Sequence, residues 1–163
     1  MKTGKLTVMA LTTALAMILS FIESQIPAFV AVPGVKVGLA NIAVVFALYK
    51  LGWKEAVAIS LVRVVLVSML FGSLASMFYS LAGAVLSLIG MGLLKMSGKF
   101  TEIVVSVAGG ILHNIGQIAM ACLILETDVL RYYLPFLILS GTVAGVVIGV
   151  ISAIMVKRIH IAE

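Results

Sequence analysis

The chain has 163 residues, 63% of them hydrophobic and 10% charged, and a mean hydropathy of +1.30. Soluble globular domains carry about half apolar and about a quarter charged residues, so this composition belongs to an integral membrane protein with little chain left for a soluble domain. The net charge of +5 resides in lysines and arginines that flank apolar stretches, which removes a nucleic-acid-binding reading, and the single cysteine, Cys122, excludes an internal disulfide.

Apolar windows of the length that crosses about 30 Å of hydrocarbon predict an all-α membrane protein of six transmembrane helices in one domain, residues 1–163. The spans are Leu6–Ile26, Val35–Leu51, Glu55–Phe71, Ser73–Met96, Thr101–Glu126 and Arg131–Val156. The first follows Lys2 and Lys5 as a signal peptide would, but its apolar run continues to Ile22, past any plausible cleavage point, so it reads as a true span. It carries Ala10 and Ala14 in "ALTTA", an AxxxA unit that permits a second helix to approach closely, although alanine pairs at this spacing are frequent by chance. The connection that follows, "ESQIPAFVAVPGVKVG", holds Pro27, Pro33 and Gly34, which favour a turn, and could fold over a cavity as a lid.

Lys2, Lys5, Lys50, Lys54, Lys95, Lys99, Lys157 and Arg158 fall at the termini or in the second and fourth connections, whereas the other side receives Lys36 and Arg131. By the positive-inside rule both termini face the cytoplasm.

The third span contains Arg63, and a charge at the bilayer centre costs about 3 kcal/mol or more unless it finds a partner or water. Counting about 1.5 Å per residue from Lys54 puts Arg63 roughly 13 Å from the inner edge, with Asn41 of the second span at similar depth. Tyr79 of the fourth span and His113 of the fifth lie about 20 Å from that edge, and Glu23, Lys36 and Gln117 lie near the outer face. In the fourth span Ser76, Tyr79, Ser80, Gly83, Ser87 and Gly90 share a face. In the fifth, Ser106, Gly110, His113, Asn114, Gln117 and Ala121 do so, four of them within "GGILHNIGQ". Five helices thus send polar groups to overlapping depths, which suits a cavity open to the outside, with Gly110 leaving room for a ligand. The alternative is structural: Arg63 fixing the bundle through carbonyls and Asn41, His113 bridging helices, and Glu23 a simple interfacial charge. For Gly141, Gly145 and Gly149 of the last span, internal packing is the preferred reading.

Catalytic chemistry finds no pattern here. The six acidic residues include no DDxxD pair to hold Mg²⁺ against a diphosphate. "GLLKMSGK" has its glycines one residue too far apart for a phosphate loop, and Phe100 stands where Ser or Thr would meet Mg²⁺. His113 and Cys122 lie on opposite helix faces and cannot share a metal, and His160 sits in the tail, which leaves haem without a second ligand. The chain is therefore expected to be no enzyme and to hold no metal or resident cofactor.

"FIESQIP", "PGVKVGLANI", "RVVL", "LFGS", "YSLAGAVLS" and "GGILHNIGQ", in this order over nearly the whole chain, closely resemble the bacterial Gx transporter family, often labelled heptaprenyl diphosphate synthase component I. That family looks like the substrate-binding S components of energy-coupling factor (ECF) transporters. The resemblance implies a multi-pass protein of the bacterial cytoplasmic membrane with a ligand cavity in its outer half. It also implies that Ala10 and Ala14 dock on a transmembrane coupling subunit driven by two ATPases. The expected function is capture of a small, anionic or carbonyl-rich molecule, bound by Arg63, His113, Asn114, Gln117, Asn41, Tyr79, Lys36 and Glu23. A second reading is a membrane subunit that handles a quinone or flavin beside a flavoprotein in electron transfer to the cell exterior. A third is an accessory subunit of polyprenyl diphosphate synthesis, against which the absent diphosphate–Mg²⁺ motif argues.

Overall fold

The computed structural model describes residues 3–25 and 38–159. Within them the chain forms α1 (Thr3–Gln25), α2 (Asn41–Lys50), α3 (Trp53–Phe71), α4 (Leu74–Met96), α5 (Glu102–Leu125), a short 3₁₀ turn (Val129–Tyr133) and α6 (Leu134–Arg158). Among the described residues there is no strand.

Local chemistry sets several of these boundaries. Ser73 starts α4 with a capping box: its hydroxyl accepts from Ser76 N–H at 3.2 Å, and Ser76 Oγ accepts from Ser73 N–H at 2.9 Å. Thr101 caps α5 by accepting from Val104 N–H. Gly52, at φ +122°, makes the reversal between α2 and α3 in a conformation closed to L side chains. Pro135 enters α6 in its first turn, where a missing N–H costs nothing.

The described helices divide by length. α1, α4, α5 and α6 are long and apolar enough to cross a membrane. α3 has 19 residues and carries Lys54, Glu55 and Arg63. The span expected at Val35–Leu51 differs most: α2 has 10 residues, which at 1.5 Å each rises only about 15 Å, half the hydrocarbon thickness. Gly38 is the reason on the described side of this boundary. It sits at φ +87°, and its N–H is taken by the Glu23 carboxylate, so the α-helical ladder starts only at Asn41. Ile42 through Leu48 are all buried, so this half-helix lies inside the bundle.

Glycine lets α4, α5 and α6 close into one slab. A Cβ at Gly116 would fall 2.8 Å from Gly83 Cα, one at Gly145 2.6 Å from Val107 Cα, and one at Gly149 2.7 Å from Ile103 Cα. The backbones therefore touch, which is the packing role expected of the α6 glycines. A Cβ at Gly110 would meet the Gly141 carbonyl oxygen at 2.6 Å. Gly110 is thus consumed by the α5–α6 contact, and the expectation that it leaves room for a ligand gives way to this steric reason.

The helix ends that carry Lys5, Lys50, Lys54 and Lys95 lie together: Lys5 pairs with Glu55 at 2.5 Å, and Lys95 Nζ donates to the Leu48 carbonyl. Toward this end Val44, Val45, Leu48, Ile59, Leu88, Met91 and Val105 form a dry core. Large apolar side chains such as Leu11, Met69, Leu93, Leu123, Leu139 and Ile154 cover the outside, each half or more exposed. An apolar girdle of this extent requires hydrocarbon as its solvent, and the protein is a multi-pass membrane protein.

Candidate functional site

The polar side chains collect beyond the dry core, away from the lysine-bearing end. Arg63, in the middle of α3, is 8% exposed, and its Nε has no hydrogen-bond partner among the described residues. Glu23, two residues before the end of α1, is 5% exposed, accepts the Gly38 N–H and lies within electrostatic reach of Arg63. Both line a cavity of about 20 Å³ whose other polar walls are Ser20, Asn41, Ser68, Ser80, His113 and Gln117. α1, α2, α3, α4 and α5 all contribute, α4 through Ser80. Gly83 makes room for the α5 groups: a Cβ there would stand 3.0 Å from His113 Nδ1 and 2.8 Å from Gln117 Cγ.

A second cavity of about 10 Å³ adjoins it, with Asn41 and His113 common to both and with Ser106 and Asn114 on its walls. Asn114 already has a task. Its Nδ2 donates to the Leu137 carbonyl at 2.7 Å, a buried bond that ties α5 to α6. Tyr79 is half-buried and lines neither cavity, its place on α4 being taken by Ser80 one residue on. Lys36 and the expected lid between residues 26 and 37 lie outside the described residues. Ala10 and Ala14 are both exposed on the outside of α1, far along the helix from Glu23.

These dimensions and charges limit what the arrangement does as it stands. About 10–15 Å³ of such volume holds one water molecule, so each cavity has water-sized rather than ligand-sized space. Glu23, within electrostatic reach of Arg63, offsets part of its positive charge. The positive terms that remain are the guanidinium donors and the N-terminal end of α2, whose macrodipole is equivalent to about half a positive charge. That end is packed at Gly38 and Asn41, which line both cavities. The cluster therefore offers donors and one cation balanced by one anion, suited to a ligand that carries carbonyl or carboxylate oxygens and also donors.

Sequence reasoning missed Ser20 and Ser68. Ser20 stands three residues before Glu23, on the same helical face, which was the available signal. Among the described residues, no group of three or more His, Cys, Asp or Glu side chains is placed to hold a metal ion.

No curated protein and no solved structure matches the chain. The family model described as heptaprenyl diphosphate synthase component I matches residues 12–155, a stretch that takes in α2, α3, α4 and α5 whole, most of α1 and α6, and every described member of the polar cluster. The chain belongs to this family, the Gx transporter family of the sequence resemblance.

Proposed function

We propose that the protein is the membrane-embedded capture subunit of an ECF-type uptake system, taking a small polar molecule with carboxylate or carbonyl oxygens from outside the cell. The observation that carries this reading is the Arg63 guanidinium, buried among groups from five helices with its Nε unpartnered among the described residues. Intramembrane cations of this kind mark substrate paths because an idle one is expensive to keep. Two further features support it. The N-terminus of the half-helix α2 adds positive potential at the same cavity, an arrangement that transporters use for anionic substrate groups. Ala10 and Ala14 offer a small-residue face on the outside of the bundle, where a coupling subunit with two ATPases would dock.

In this reading the lysine-bearing end is cytoplasmic, both termini are inside, and six segments occupy the membrane, with α2 entering only halfway. The protein catalyses nothing itself. The synthase in the family description is then a label for a chain without diphosphate chemistry.

Native mass spectrometry of the gently purified protein tests the proposal. A bound small polar molecule, together with a coupling subunit and two ATPases, is the expected result. A bound quinone or flavin with a flavoprotein partner would overturn it in favour of the redox reading, and a soluble prenyltransferase in favour of the third.

A further inference from the structure

The lysine-bearing end holds a feature that ligand capture does not use. Between the last turn of α2, the first turn of α3 and the last turns of α4 runs an apolar groove of about 390 Å³. Leu48, Trp53, Ile89, Gly92, Leu93 and Met96 line it, and Lys95 is the one charged residue on its walls. It opens sideways, since Ile89, Leu93 and Met96 face the girdle at 50%, 63% and 84% exposure. Trp53 forms one wall because position 92 is glycine: a Cβ there would fall 2.3 Å from a carbon of its ring.

Lys95 Nζ spends one donor on the Leu48 carbonyl, among the last acceptors of α2, and lies 5.1 Å from the centroid of the Tyr49 ring. An ammonium has three N–H donors, so two remain beyond that bond among the described residues. The charge around it is mostly of one sign. Lys50 and Lys54 sit on the adjoining helix ends and Lys99 follows α4, while of the described acids Glu55 is paired with Lys5 and Glu102 lies within electrostatic reach of Tyr49. A groove with apolar walls, a sideways opening to hydrocarbon and a cation at one end matches a molecule with an alkyl chain and a phosphate.

We propose that this groove binds one anionic phospholipid, its acyl chain against Trp53 and Leu93 and its phosphate on Lys95. Recognition by basic groups between helix ends near a membrane surface is how proteins select such headgroups. The bilayer supplies this occupant at the depth where the groove lies, and phospholipid also fits the interfacial position of a half-exposed tryptophan.

Trp53 is the sole tryptophan, so intrinsic fluorescence reports on this groove alone. The protein is reconstituted in phosphatidylcholine bilayers, and either dibrominated phosphatidylglycerol or dibrominated phosphatidylcholine is introduced, since bromine quenches tryptophan on contact. One basic group at the surface is worth about a fivefold preference, so the anionic lipid should reach half-quenching at roughly one fifth of the mole fraction. Lys95→Gln should bring the two lipids to parity, and Lys95→Arg should keep the preference. Ile89→Phe, which fills the groove and leaves the α2 cap alone, should weaken quenching by both. Equal quenching by the two lipids in the unaltered protein would overturn the proposal, as would a preference that survives Lys95→Gln. Protection of Trp53 by a polyprenyl diphosphate at mole fractions where phosphatidylglycerol gives none would also overturn it, by naming a different occupant.

Discussion

Neutralising either member of the Glu23–Arg63 pair should destabilise the bundle far more than neutralising both. Glu23→Gln keeps an oxygen able to accept the Gly38 N–H, so it removes charge and spares the hydrogen bond. Arg63→Met keeps a long side chain in the cavity wall and removes the guanidinium. Each single change removes the electrostatic attraction between Glu23 and Arg63 and leaves one buried charge, 5% or 8% exposed, less well balanced, and removing one member of a buried pair costs about 3–5 kcal/mol. For a chain of this size about 1 kcal/mol shifts Tm by 2–4 °C, so each single variant should melt about 6–20 °C below the parent. The double variant leaves no charge stranded and should recover most of that loss, with a coupling energy of about 2 kcal/mol or more. Thermal unfolding in detergent, followed by alkylation of the half-buried Cys122, measures all four proteins. Single losses that add to within about 0.5 kcal/mol in the double variant would refute the pairing and release Arg63's full charge for an anionic ligand.

Asn114→Ala removes the bond to Leu137 and should cost about 0.6–1.7 kcal/mol in the same assay, the range of interhelical hydrogen bonds in membranes; no loss of Tm would show that the bond is idle. Gly145→Leu should prevent folding, because even a Cβ meets Val107 Cα at 2.6 Å; a normally folded variant would contradict the α5–α6 contact. Ala10→Trp with Ala14→Trp adds bulk to an exposed face, so the bundle should fold and bind ligand but lose transport and the coupling subunit; assembly that persists would remove the docking role from this face. In a Cys122→Ala background an impermeant thiol reagent outside intact cells should label Asp128→Cys and not Ser97→Cys, and the reverse pattern would invert the orientation.

The starts of α4 and α5 were legible to within a residue because Ser73 and Thr101 announce them chemically. α2 was not. Hydropathy weighs side chains, and Val35–Leu51 is apolar apart from Lys36, Asn41 and Lys50, whereas the helix start depends on a glycine at positive φ and on a carboxylate fifteen residues earlier in the chain. The same limit governs Gly110: sequence periodicity put it on the polar face, but which neighbour that face meets is a tertiary fact, and the neighbour is the Gly141 carbonyl. Arg63, His113 and Gln117 were found because charge and amide groups are conspicuous in hydrocarbon-compatible helices. Ser20 and Ser68 were not, since a serine in such a helix ordinarily returns its hydroxyl to its own backbone, as Thr12 does to Val8.

The cavity volumes place a condition on ligand capture that no residue substitution tests. Space for one water at the cluster means that any larger ligand must part helices that now touch. α4, α5 and α6 resist parting, since their backbones meet at Gly83–Gly116 and Gly110–Gly141, and separation there would uncover peptide groups to hydrocarbon. α1 is different: its outward face is bare, and it joins the cluster through Ser20 and the Glu23–Gly38 bond. Dilation should therefore run between α1 with the α2 start and the α4–α6 slab. In hydrogen exchange on the unliganded protein, amides from Ser20 to Gln25 and at Gly38 should open well before those flanking Gly83 and Gly116. Ligand bound across the cluster should then slow the first group and leave the second unchanged. Faster opening at the Gly83–Gly116 seam would place the entrance within the slab and remove α1 from the ligand's path.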